Sequence, residues 1–65
     1  MNGTVRAFDD ARGRGVIVAD DGTEYEFHAT RIADGTRSIT IGTAVHFEVV
    51  PALLGRWEAS AITRC

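Results

Sequence analysis

Sixty-five residues make one domain, residues 1–65, and a domain this small buries only about 60% of the surface its unfolded chain exposes. Seven basic residues, all arginine, stand against nine acidic ones for a net charge of −2, which excludes nucleic-acid binding by bulk positive charge and leaves it to a local arginine patch. The single cysteine, Cys65, excludes an internal disulfide and a cysteine-built zinc site.

Met1-Asn2-Gly3-Thr4 has no basic start followed by an apolar run, so no secretory signal is expected. No stretch approaches the ~20 apolar residues of a membrane-spanning helix. The expectation is a cytoplasmic domain with no membrane contact.

The first strand is expected over Gly3–Phe8, where Thr4, Val5 and Phe8 favour extended backbone. Strict alternation puts Val5 and Ala7 on one face, Arg6 and Phe8 on the other. Asp9-Asp10-Ala11-Arg12-Gly13 reads as a turn. Arg14–Ala19 is the second strand, and Gly15 within it marks a bend or bulge. Asp20-Asp21-Gly22 is the strongest hairpin signal in the chain, leading into a third strand, Thr23–His28. In this hairpin Ile17, Tyr25 and Phe27 belong to a core, while Arg14, Val16, Glu26 and His28 line the opposite face. Function has to be argued from that second face.

From Ala29 the pattern changes. Thr30 is placed to cap one helical turn through Arg31-Ile32-Ala33, which Asp34-Gly35 stops. Ile39 and Ile41 alternate before Gly42. Ala44–Val50 alternates cleanly, with Val45, Phe47 and Val49 on one face and His46 and Glu48 on the other. Pro51 ends that strand. A loop, Pro51–Gly55, carries Leu53 and Leu54, and Arg56–Thr63 is the last strand. The expected core is Val5, Ile17, Tyr25, Phe27, Val45, Phe47 and Ile62. Five short strands with turn signals point to an all-β sandwich or barrel, and closure would remove the exposed sheet edges.

No catalytic constellation is present. Ser38 and Ser60 have no base beside them, and His28 and His46 fall on separate strands without metal-ligand spacing. No enzyme activity, metal site or cofactor is therefore expected. The pairs Asp9-Asp10 and Asp20-Asp21 sit in turns, where carboxylates bond turn backbone. Gly13-Arg14-Gly15 precedes a strand, whereas a phosphate cradle needs a helix N-terminus after it.

Gly3-Thr4-Val5-Arg6-Ala7-Phe8-Asp9, Arg12-Gly13-Arg14-Gly15-Val16-Ile17, Asp21-Gly22, Phe27-His28 and Ala59-Ser60-Ala61-Ile62, in that order, resemble the cold-shock domain family. The resemblance implies a small five-stranded antiparallel OB-type barrel that binds single-stranded RNA or DNA, with little sequence preference, on a surface of aromatic side chains. The aromatics are largely missing. The family usually has tryptophan where this chain has Ala7, stacking phenylalanines at Arg14 and Val16, and outward phenylalanines at Glu26 and Ala29. The long loop reads Gly35-Thr36-Arg37, without its aromatic.

The nucleic-acid site expected from this comparison comprises Arg6, Phe8, Arg12, Arg14, Val16, His28 and Arg56. Weak, sequence-tolerant binding through arginine is the first functional expectation. The alternative is a protein-interaction module on a barrel that has lost nucleic-acid binding. Leu53, Leu54 and Trp57 bear on that alternative. Either they cover one end of the barrel, as Leu53 and Trp57 are expected to do, or they form an exposed patch for a protein partner.

Overall fold

The computed structural model describes residues 1–65, with the side chain of Leu53 excepted. The five strands are β1 (Asn2–Asp9), β2 (Arg14–Ala19), β3 (Glu24–His28), β4 (Ala44–Pro51) and β5 (Trp57–Arg64). They close into one barrel in the order β1-β2-β3-β5-β4. All neighbours are antiparallel except β3 and β5, which run parallel where Glu26 faces Glu58. The expected wholly antiparallel barrel is corrected at this seam. Strand direction cannot alternate all the way round a ring with an odd number of strands, so one pair has to run parallel.

The core follows the alternation of the strands. Val5, Ile17, Phe27, Val45, Phe47 and Ile62 are fully buried, and Tyr25 and Val49 pack against them. Ala19, Ala29, Ile32, Ile39 and Ala59 complete the core. Ile32 and Ile39 come from the long connection between β3 and β4. The connection is held across the end of the barrel by an Ala33 N–H bond to the Ile62 carbonyl (2.8 Å) and an Ile32–Ile62 bridge. Ile39 is buried and Ile41 is exposed, but this alternation belongs to no strand. The helical turn is a 3-10 turn at Ala29–Arg31, two residues before the expected one, with no side-chain cap from Thr30 or any other residue.

β1 departs from strict alternation. Val5 faces Ile17 but Ala7 faces Val16, so Arg6 is the extra residue of a bulge. The bulge resets the faces: Ala7 is exposed, and Phe8 turns back toward the core. The expected grouping of Ala7 with Val5, and of Phe8 with Arg6, is thereby corrected. Phe8 stacks on Phe27, with ring centroids 5.9 Å apart. The Phe27 ring needs Gly15, whose missing Cβ would lie 2.6 Å from Phe27 Cζ and 2.6 Å from the Ala7 carbonyl oxygen.

Turn carboxylates behave as their positions predict in one member of each pair. Asp9 Oδ1 accepts from the N–H groups of Ala11 (3.0 Å) and Arg12 (3.3 Å), and Asp21 Oδ1 accepts from Thr23 N–H (3.0 Å).

Trp57 corrects a further expectation. It does not cover the barrel end: it stands 59% exposed, and Leu54 is 95% exposed. The covering role expected of Leu53 lies outside the described side chains.

Candidate nucleic-acid interface

Residues opposite one another in adjacent strands point to the same face, so the register lays out the outer surface in rows. One row runs Asp9, Arg14, His28 across β1, β2 and β3. The next runs Ala7, Val16, Glu26, Glu58 across β1, β2, β3 and β5. A shallow cleft of about 350 Å³ lies here, lined by Ala7, Phe8, Arg12, Arg14, Val16 and Glu26 among others.

The register brings most of the sequence-expected residues together. Arg14 and Val16 occupy the middle strand, with His28 and Glu26 beside them. Arg6 stands on the β1 bulge, and Arg12 on the β1–β2 turn. Arg56 joins from the far side, just ahead of β5. Phe8 is separated in kind: its ring is half-buried, packs on the core and stacks on Phe27 while lining the cleft.

Charge is balanced across the face. Arg6 is paired with Glu24, Arg12 Nε lies 3.8 Å from Asp9, and Arg56 Nη1 lies 3.7 Å from Glu26. His28 Nε2 lies 3.9 Å from Glu58 Oε2. Among the described residues Arg14 is in no ion pair, although Asp9 is its register neighbour. The expected arginine patch therefore consists of one unpaired guanidinium and three that share carboxylates.

Two residues of this surface escape sequence reasoning. Arg37, from the long connection, lines a cleft of about 330 Å³ with Arg12, His28 and Thr30, and is in no ion pair among the described residues. Its placement depends on how the connection folds over the barrel, which no local signal encodes. Glu58 lies on the outer side with Ala59 inward, although strict alternation from Ile62 would turn it in; the irregularity at Ala61 accounts for the difference. The position of Glu58 beside Glu26 and His28 depends on the parallel seam. No group of three His, Cys, Asp or Glu side chains among the described residues is arranged to hold a metal ion.

Two other carboxyls are shifted by their surroundings. Thr36 donates its hydroxyl and its N–H to Asp34, and these bonds, with Arg64 nearby, hold the Asp34 carboxyl below the usual carboxylate value. Asp21 is lowered by the Thr23 N–H and hydroxyl. Both lie in turns away from the face.

Comparison with known proteins agrees with this architecture. The family described as 'Cold-shock' DNA-binding domain matches residues 1–65. Glycine-rich protein 2 of Nicotiana sylvestris is 43% identical over 63 residues, which is 94% of this chain and 29% of that protein. Cold shock-like protein CspA of Stigmatella aurantiaca (strain DW4/3-1) is 45% identical over 49 residues, 72% of each chain. Cold shock protein 1 of Arabidopsis thaliana is 33% identical over 63 residues, which is 94% of this chain and 21% of that protein. The chain thus covers less than a third of either plant relative.

Proposed function

This chain belongs to the cold-shock domain family, a nucleic-acid-binding family, and we propose that it binds single-stranded RNA or DNA weakly and with little sequence preference. Contact is through guanidinium groups more than through stacked aromatics. The observation that carries the proposal is Arg14: outward, unpaired, and opposite His28 in the register. A guanidinium there meets a phosphate or lies flat on a base.

The remaining arginines are available at small cost. Exposed ion pairs contribute about 0–1 kcal/mol each, so Arg6, Arg12 and Arg56 can exchange a carboxylate for a phosphate. Arg37 beside His28 extends the cationic path onto the long connection. Ala7, Val16 and Glu26 supply no stacking surface, and stacking is worth about 1–3 kcal/mol per base. Affinity below that of an aromatic-rich surface follows.

The test compares three proteins on one labelled single-stranded oligonucleotide at low salt. Arg14→Glu is expected to abolish binding. Glu26→Phe is expected to strengthen it, by removing a carboxylate, releasing Arg56 and adding a ring. Wild type binding no better than Arg14→Glu overturns the proposal. One observation favours a second reading, a protein-interaction module: the exposure of Leu54 and Trp57. Loss of a protein complex or of self-association in Leu54→Ser, with no oligonucleotide binding by wild type, is the result that would select it.

A further inference from the structure

Trp57 is the only tryptophan of the chain, and the core closes without it. It opens β5 at the parallel seam and stands 59% exposed. The indole lines a cleft of about 500 Å³ together with Tyr25, Glu26, Ala52, Arg56 and Glu58. Glu26 also lines the cleft that holds Arg14 and Val16. The two clefts therefore adjoin on one surface and share a side chain. On the β1–β3 side of that shared residue, the one phenylalanine lining the cleft, Phe8, is half-buried and stacked on Phe27. On its other side there is an open indole, preceded in the chain by an arginine whose guanidinium lies 3.7 Å from Glu26.

We propose that Trp57 is a stacking platform for one unpaired base of the strand bound on the β1–β3 face, with Arg56 on an adjoining phosphate. The inference rests on the nucleic-acid reading given above and adds a binding residue to it. Stacking on an indole needs a π-face and no particular net charge, and every base has such a face. Of the three carboxylates lining the cleft, Glu24 is paired with Arg6, Glu26 with Arg56, and Glu58 lies beside His28; Arg56 reaches a phosphate by giving up Glu26. A protein partner is the less favoured occupant. A stable interface takes about 800 Å² from each side, whereas Trp57 offers one ring in a cleft that also carries Glu24, Glu26, Arg56 and Glu58. Leu54, the other exposed apolar side chain nearby in sequence, does not line that cleft.

The single indole makes the test direct. Labelled oligo-dT is titrated at low salt, with anisotropy of the label and emission of Trp57 recorded together. Emission should change in step with anisotropy. Trp57→Ala should weaken binding by about fivefold or more with the salt dependence unaltered, Trp57→Phe should retain most of the affinity, and Arg56→Ala should make the salt dependence shallower. Anisotropy that saturates with Trp57 emission unchanged, and with Trp57→Ala binding like wild type, overturns the inference and leaves binding on the β1–β3 face standing. Absence of binding by wild type removes the nucleic-acid reading and this inference together. Unchanged affinity in Trp57→Ala, accompanied by loss of a wild-type dimer in sedimentation, overturns it in favour of self-association.

Discussion

Glu26 lines the proposed binding cleft and also pairs with Arg56, so one side chain opposes the proposed binding in two ways. Glu26→Gln separates charge from stacking: it should tighten oligonucleotide binding less than Glu26→Phe, because it removes the charge and adds no ring. Equal affinities for the two variants, measured by anisotropy at one salt concentration, would contradict the part assigned to stacking. Asp34 provides a residue-level test of the loop that carries Arg37. Its folded-state pKa is depressed, so its contribution to stability is fully present above the unfolded value of about 3.9 and is lost as pH falls through the folded value. Thr36→Val removes the hydroxyl donor, and NMR titration should then show the Asp34 carboxyl moving up toward its ordinary value. The Arg64 side chain also bonds Asp34 and donates to the Ser38 carbonyl (2.9 Å), tying the same loop to β5.

The strands are placed by alternation, and their irregularities decide which side chains reach the surface. Ala61 is the extra residue of a bulge in β5, with φ 50° where β4 and β5 shift register. It is exposed, so Ala61→Gly relieves a left-handed conformation without emptying a core site. Stability in denaturant should rise by up to about 1 kcal/mol. Gly15→Ala should act in the opposite direction, because its Cβ would press on Phe27 and on the β1 backbone. A loss of about 1–3 kcal/mol is expected. The β2–β3 hairpin is legible in Asp21-Gly22 and in the alternation of Ile17, Tyr25 and Phe27, because both signals are local. The β1 bulge is not legible. Arg6 is an ordinary strand residue, and what displaces it is pairing with β2. That one shift moved Ala7 out and turned Phe8 toward the core, where its ring stacks on Phe27. Arg14 and His28 were both legible as outward residues, and the hairpin register makes them neighbours. The salt links of Arg6, Arg12 and Arg56 involve flexible side-chain ends that strand alternation does not place.

For the whole molecule, closure of the barrel matters most. The odd strand number forces the parallel seam, and the seam sets Glu58 beside Glu26 and Trp57 at the edge of the proposed binding surface. Trp57→Ala should leave the melting temperature close to wild type, since exposed substitutions usually fall within about 0.5 kcal/mol. Phe27→Ala, at the centre of the core, should cost about 3–5 kcal/mol, and circular dichroism melts compare the two directly. The net charge of −2 works against any anionic ligand at long range, so the proposed binding rests on short-range contact with the few guanidiniums that have no carboxylate or can exchange one.

The most direct test is the salt dependence of that contact. Wild-type affinity for one single-stranded oligonucleotide is measured from low to moderate salt, and log Kobs is plotted against log salt. Each phosphate neutralised contributes a slope of about −0.7 on a single strand, so contacts by two to four arginines predict a slope of roughly −1.4 to −2.8. Measurable affinity that does not change with salt would contradict a charge-dominated interface.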